Sequence, residues 1–271
     1  MELHGPDESV DGIFGNKVRV IQSRRGYRVS EDAIILTWFA KPLQGGLVMD
    51  AGTGCGVIAF GMAIRDPSLT VVGVEIQKDL ADRAARGAKL NNLQTRVYIV
   101  QGDVTKADLY FRPGSFDLIV CNPPYYEPGR GRINPQHERA VCRHQLRMPI
   151  SRLFAAAQVL LRDHGSLDLI YPTDGMEGIC HAVRGTGFQI SRVLWIHPHQ
   201  QAPPGHVCLE LILKDSSEDT LVGHMYLYDQ QHQRTSFARS ILAGEQCPDE
   251  CLYDKAFDLS AGGYCGRVRK D

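Results

Sequence analysis

No apolar run in this 271-residue chain approaches the length needed to cross a bilayer, which excludes an α-helical membrane span. Net charge is almost absent too: 30 Lys and Arg stand against 31 Asp and Glu, a formal −1. No global field draws such a chain to nucleic acid or to an anionic membrane, so a polyanionic partner has to be held by a local patch. The opening residues, MELHGPDESVDG, lack a basic segment followed by an apolar one and do not read as a secretory leader. The expectation is a soluble, cytoplasmic protein. Paired C-x2-C knuckles are missing as well. Cys55, Cys121, Cys142, Cys180 and Cys208 are scattered singly, as suits reduced thiols. Cys247, Cys251 and Cys265 lie closer together, but C-x3-C with one distant cysteine is a poor zinc pattern, and no metal is expected. Internal repeats are not visible.

What is present is ordinary globular composition, 43% hydrophobic and 23% charged, in a chain long enough to bury a real core. From Gly46 onward, short apolar segments alternate with segments of helical spacing. LVMDAG, TVVGVEI, RVYIVQGD, FDLIVCN, GSLDLIYP, FQISRVLWIHP and VCLELILK read as strands. VIAFGMAIR, QKDLADRAARGAKLNN, PISRLFAAAQVLL and DGMEGICHAVRGTG read as helices. Strands alternating with helices predict an α/β fold, a mostly parallel seven-stranded sheet covered on both faces. The last two strands follow one another without a helix, so one of them runs antiparallel. Upstream, a strand, a turn and a helix opened by Ser30 are expected within residues 17–40. The boundaries read as a decoration over 1–45, the α/β domain over 46–214, and a partly irregular extension over 215–271.

The chemistry starts at VMDAGTGCGVIAF. Asp50 ends the first strand of the domain, and Gly52, Gly54 and Gly56 precede a helix, where glycine lets the chain turn sharply and a ligand approach the backbone. A dinucleotide-binding turn would read G-x-G-x-x-G, but Val57 stands where the third glycine would fall. Asp50 would also repel a pyrophosphate, so the pattern suits a ligand carrying a cationic group. Glu75 ends the second strand, where a carboxylate can accept both hydroxyls of a ribose. Asp103 follows the third strand, placed to accept from the exocyclic amine of an adenine. Any one of these acids could be a solvated strand end; three at successive strand ends form a pattern.

The fourth strand stops at LIVCNPPYYEP. An adenine amine is a poor nucleophile because its lone pair is delocalised into the ring. Asn122 and the Pro123 carbonyl could each accept one amine hydrogen, aiming the lone pair at an electrophile. Pro124 helps fix that carbonyl, and Tyr125 offers a face for stacking a base. D-x-G-x-G-x-G, then E, then D, then N-P-P-Y resembles the class I S-adenosylmethionine-dependent methyltransferases, and N-P-P-Y resembles those acting on adenine N6, guanine N2 or glutamine nitrogen. The motif alone leaves these acceptors open.

Arginines narrow the choice. Arg130, Arg132, Arg139 and Arg143 follow the motif, and Arg24, Arg25 and Arg28 lie in an N-terminal segment with Lys17 and Arg19 and no acid among them. A basic rim at a pocket mouth favours nucleic acid, with the target base unpaired or flipped out. QSRRGYRVSEDAIILTWFA, CNPPYYEPGRGRINP and HERAVCRHQ together resemble the bacterial tRNA1(Val) adenine N6-methyltransferase family over about residues 15–230. That resemblance implies a Rossmann-like fold, S-adenosylmethionine as methyl donor, a tRNA substrate modified beside the anticodon, and Asp32 near the cofactor. A release-factor glutamine methyltransferase would carry a sizeable helical domain ahead of Asp50, and a guanine-N2 rRNA enzyme a second, degenerate half. A non-catalytic RNA-binding module of the same fold would not need the acids and Asn-Pro-Pro-Tyr intact.

Overall fold

The computed structural model describes residues 4–25, 28–123, 149–213, 220–245 and 252–257. In chain order the elements are β1 (Glu8–Ile13), β2 (Val18–Ser23), α1 (Glu31–Phe39), β3 (Leu47–Ala51), α2 (Val57–Arg65), β4 (Thr70–Glu75), α3 (Lys78–Leu90), β5 (Val97–Gln101) and β6 (Phe116–Cys121). After the next described residues follow α4 (Ile150–Leu160), β7 (Leu161–Pro172), α5 (Met176–Val183), β8 (Phe188–His199), β9 (His206–Leu213), β10 (Thr220–Tyr228), α6 (Ser236–Leu242) and β11 (Tyr253–Phe257). Strands β3 to β11 form one sheet in the order β11-β10-β8-β9-β7-β6-β3-β4-β5. Pairs among β3 to β7 are parallel, and β9 runs antiparallel to both β7 and β8.

Period-two alternation sorts the strand residues onto the two faces. Val48, Leu118, Val120, Ile170, Leu194 and Ile196 pack with α1, α2 and α6. Met49, Ile119, Cys121, Leu169, Val193 and Trp195 pack with α4 and α5. Helix α2 is apolar nearly all round because it lies between the sheet and its neighbours, with Val57 to Ala63 buried throughout. Helix α3 is amphipathic: Ala81, Ala84, Gly87 and Ala88 are its buried stripe.

Among the described residues the sheet has nine strands where seven were expected. Residues 220–228 add β10, parallel to β8, and β11 pairs antiparallel beyond it. In β10 only Thr220, Val222, Gly223 and Met225 are buried, and the Gly, His and Tyr residues between hide the apolar alternation. Strand β10 covers the β8 edge that would otherwise expose unpaired backbone groups. The N-terminal strand also gains a partner that was not expected, β1, in a hairpin with β2. Glu8 on β1 clamps this hairpin to α3, accepting from Arg83 Nε at 2.9 Å and Arg86 Nη1 at 2.8 Å. Those guanidinium groups lower the Glu8 carboxyl to about 2.

Helix α1 has no basic residue in its own last turn. Its final carbonyls are satisfied by two arginines from elsewhere. Arg65 of α2 donates to the carbonyls of Thr37, Trp38 and Ala40, and Arg192 of β8 to that of Phe39 at 2.9 Å. These contacts meet the need for acceptor partners at a helix C-terminus and place positive charge at its negative end. They also seat α1 against the sheet. Among the described residues, no helix is long and apolar enough to cross a membrane.

Candidate active site

Strand register brings the expected site residues to one end of the sheet. Ala51 pairs with Val74 and with Cys121, and Glu75 pairs with Gln101, so β6, β3, β4 and β5 end almost level. Asp50, Glu75, Asp103 and Asn122 therefore come from four adjacent strand ends. This is the carboxyl edge, where open α/β sheets bind ligands because the loops there diverge into a crevice.

Asp50 is 1% exposed. Its Oδ2 accepts from Thr53 Oγ1 at 2.6 Å and from the Ala59 amide at 3.1 Å. Ala59 is the third residue of α2, and the residue in the N-cap position is Gly56, which has no side chain to offer. Asp50 thus supplies the N-cap acceptor from outside the helix. One of the α2 amides that a phosphate would seek is already taken by a carboxylate, which adds to the case against a dinucleotide turn. The other oxygen, Oδ1, is buried with no hydrogen-bond partner among the described residues. Burial first, and the charge of Glu75 in smaller measure, push the Asp50 carboxyl up to about 7 against the pull of its hydrogen bonds.

Gly52 and Gly54 both sit at positive φ, 77° and 56°, and a Cβ on either would meet nothing within 4 Å. The turn thus bares its backbone to open space. It is anchored beneath, since the amides of Gly52 and Thr53 both donate to the Val74 carbonyl, at 2.9 and 3.1 Å. Gly56, at φ 91°, is held for a different reason: a Cβ there would lie 2.4 Å from the Phe60 ring.

Glu75 is 5% exposed, with Oε2 accepting from the Gly54 amide at 2.9 Å and Oε1 from the Gln77 amide at 2.8 Å. Burial raises its carboxyl, opposed by these amides. The Ile76 amide acts on the same carboxylate, and with three amide donors the group still has acceptor capacity for a further one. Among the described residues, hydrogen bonds rather than any cationic side chain oppose the desolvation of Asp50 and Glu75. Two buried acids set side by side in this way make a site suited to a cation.

Asp103 is half-buried and caps a 3-10 turn over Val104–Leu109, its Oδ1 accepting from the Thr105 amide and hydroxyl at 2.9 and 2.8 Å. The Tyr110 hydroxyl fixes its backbone, receiving from the Asp103 amide and donating to its carbonyl. Asn122 is half-buried and Pro123 buried at the end of β6, while Pro124 and Tyr125 lie outside the described residues.

Two residues escaped the sequence reading. Ile76, assigned there to the strand, lies just beyond its end and is 45% exposed, an apolar face beside Glu75. Its signal was an apolar residue where the strand should already have turned. Tyr110 gave no signal, because only the 3-10 turn brings it back to Asp103.

The basic rim differs from expectation. Arg28 pairs with Asp11 of β1 at 2.8 Å, Arg19 donates to the Leu90 carbonyl and Lys17 to that of Gly244. Three of the five N-terminal cations are thus engaged with the protein, because the hairpin partner, helix α3 and the C-terminal segment pack beside them. Arg24 and Arg25 are exposed just after β2. Asp32 accepts from Ser30 Oγ at 3.0 Å in the first turn of α1, and its charge acts on Cys208 of β9. Arg130, Arg132, Arg139 and Arg143 lie outside the described residues, as do Cys247, Cys251 and Cys265.

The curated relatives of this chain include several named tRNA1(Val) (adenine(37)-N6)-methyltransferase. That of Porphyromonas gingivalis strain W83 is 33% identical over 158 residues, 56% of this chain and 61% of that protein. Those of Vibrio campbellii and Vibrio vulnificus strain YJ016 are 29% and 26% identical, covering 73% and 84% of this chain and 82% and 92% of theirs. The match thus spans about three fifths of the P. gingivalis relative, 61% of its length. Among solved structures, a "predicted O-methyltransferase" from Agrobacterium tumefaciens superposes with a TM-score of 0.61 at 18% identity, over 80% of this chain and 98% of that one. TYW2 of Pyrococcus horikoshii, solved with MeSAdo, gives 0.52 at 15%, over 77% and 72%. These two show that the fold is the Rossmann-like one of class I methyltransferases. Residues 30–174, from the first turn of α1 to just past β7, match the model of the methyltransferase small domain, and the chain belongs to that family.

Proposed function

We propose that this chain is an S-adenosylmethionine-dependent methyltransferase acting on the N6 amine of an adenine in tRNA, beside the anticodon. The observation that carries the reading is the meeting of Asp50, Glu75 and Asp103 at three successive strand ends with Asn122 just past the end of the adjoining strand β6. The names of the relatives support the substrate, and an RNA substrate of that kind supports a cytoplasmic location.

S-adenosylmethionine supplies a methyl group made electrophilic by a positively charged sulfur. Asp50 and Glu75 set two carboxyl groups whose ionised forms such a cation would favour, and the bare turn at Gly52 and Gly54 gives it room. Glu75 keeps acceptor capacity for a ribose hydroxyl, Ile76 offers an apolar face to a purine, and Asp103 an acceptor for its amine. On the substrate side, Asn122 and the Pro123 carbonyl accept the two hydrogens of the target amine and orient its lone pair. Pro124 stiffens that mount and Tyr125 stacks the base. Transfer is then an in-line displacement governed by positioning, and no strong base is needed, since the methylated amine sheds its extra proton readily. Arg24 and Arg25, with Arg130, Arg132, Arg139 and Arg143, would receive RNA phosphates.

The test is incubation with labelled methyl donor and separate pools of tRNA, rRNA, DNA and release factor, followed by nucleoside mass spectrometry. N6-methyladenosine in tRNA is the expected product. Label found only in protein glutamine, or as N2-methylguanosine, would reject the adenine assignment.

A further inference from the structure

The carboxyl edge of the sheet does not stop at Asn122. Beyond β6 it continues through β7, β9, β8 and β10. Four steps at the usual strand spacing of about 4.8 Å carry it roughly 19 Å from the reacting centre. It also rises. Cys121 pairs with Leu169, whereas β7 runs on to Pro172, opposite His206, and β8 and β10 reach His199 and Tyr228. The far half of the sheet is thus a raised rim beside the crevice.

Histidine is concentrated on this rim. Five of the ten histidines, at 197, 199, 206, 224 and 232, lie in β8, β9, β10 or the turn after β10. Glutamine joins them, as HPHQQ at the end of β8 and DQQHQR after β10, and Gln200, Gln201, Gln230, Gln231 and Gln233 are all exposed. The rim is built rather than loose. His197 Nδ1 donates to the Ala202 carbonyl at 2.9 Å, and its Nε2 faces His224 Nδ1 at 2.9 Å. Thr173 Oγ1 donates to the Pro204 carbonyl at 2.8 Å, and the Gly205 amide to that of Ile196 at 2.9 Å. The β8–β9 loop is thereby pinned to both neighbouring strands.

Its charge is also selective. No acid occurs from Gly178 to Leu209. From Thr220 to Gly244 the one acid is Asp229, whose Oδ1 accepts from the Gln231 and Gln233 amides and so closes the turn. Asp174 and Glu177 mark the border on the β7 side. Imidazole rings and amide side chains predominate on this surface, and the carboxylates it meets among the described residues are engaged, Asp229 in closing the turn and Glu31 of α1 in an ion pair with Arg234. Such a surface suits unpaired nucleobases, which offer π-faces and hydrogen-bonding edges and lie on a phosphate chain.

We propose that this rim docks the single-stranded RNA that flanks the target base, with His199 and His232 as base-contacting residues. Their rings lie 6.4 Å apart, edge to face, at the ends of adjacent elements. The assignment rests on the reading of the substrate as RNA.

Fluorescence anisotropy of a labelled anticodon stem-loop RNA tests it, using the full chain at one fixed salt concentration. Two variants are compared: His199→Ala with His232→Ala together, and Gln230→Glu, which puts a carboxylate on the exposed turn. The double variant should bind RNA about tenfold or more weakly, the cost of losing stacked bases, and Gln230→Glu should weaken it too. Binding of S-adenosylhomocysteine, read by calorimetry, should be unchanged in both. RNA affinity unaltered in both variants overturns the rim. Methyl transfer to the same RNA separates the two proposals. RNA that binds through the rim yet is never methylated rejects the activity alone; methylated RNA whose affinity ignores these residues rejects the rim alone.

Discussion

The Gly54 amide donates to Glu75 Oε2 at 2.9 Å, tying the glycine turn after β3 to the last residue of β4. One carboxylate thus both shapes the turn and lines the crevice beside it. Removing it should disturb two things that a purely ligand-facing acid would leave separate.

For Glu75→Ala, we expect cofactor affinity to fall by about ten- to a hundredfold, the loss of charge-assisted hydrogen bonds. Glu75→Gln should fall less, because its amide oxygen can still accept from Gly54. Calorimetric titration with S-adenosylhomocysteine measures both. Equal affinity in the wild type and the Ala variant would rule out the ribose role.

Asn122→Ala should abolish methyl transfer while cofactor binding stays nearly unchanged, since Asn122 belongs to the substrate side of the site. Single-turnover transfer and calorimetry together check this. Full activity in that variant would remove the amine-positioning mechanism.

Asp50 carries a pH signature. Its folded value, about 7, lies above the ordinary 3.8, so the stability it confers is complete below 3.8 and lost as pH rises through about 7. Asp50→Asn stays neutral and lacks this loss. Thermal melts of the ligand-free pair should show the variant gaining on the wild type from about pH 4 to about pH 7, by a few kcal/mol at most. A cationic ligand favours the ionised form, so wild-type cofactor affinity should climb through the same range. A flat profile would show that no cation sits beside Asp50.

Gly56→Ala should destabilise the protein by about 2–4 kcal/mol, from the left-handed backbone and the overlap with the Phe60 ring. Denaturant unfolding reads this directly. A neutral outcome would mean that the α2 entry can relax.

Glu8→Gln should cost about 1–3 kcal/mol by uncoupling the β1–β2 hairpin from Arg83 and Arg86 of α3. The Glu8 carboxyl is depressed to about 2 from 4.5, so its contribution is present above 4.5 and fades as pH falls toward 2. Wild type and variant should converge in acid. A gap that persists at low pH would assign the effect to packing.

The sequence by itself determined which polar residues lie within two positions of each strand's carboxyl end. Apolar runs that stop in Asp50, Glu75, Asp103 and Asn122 are local patterns, and a parallel sheet has to gather their ends on one edge, because every crossover returns the chain in the same direction. What lies on that edge could therefore be read one residue at a time. Tertiary structure decided what those residues touch. That Asp50 caps α2, that Tyr110 holds Asp103, and that Asp11 occupies Arg28 depend on contacts between segments with no common sequence pattern. The two extra strands were hidden for a related reason. β10 is an outlying strand in which Leu221 is exposed while Thr220 and Gly223 are buried, so its apolar period is broken, and only its pairing with β8 makes it a strand of the sheet.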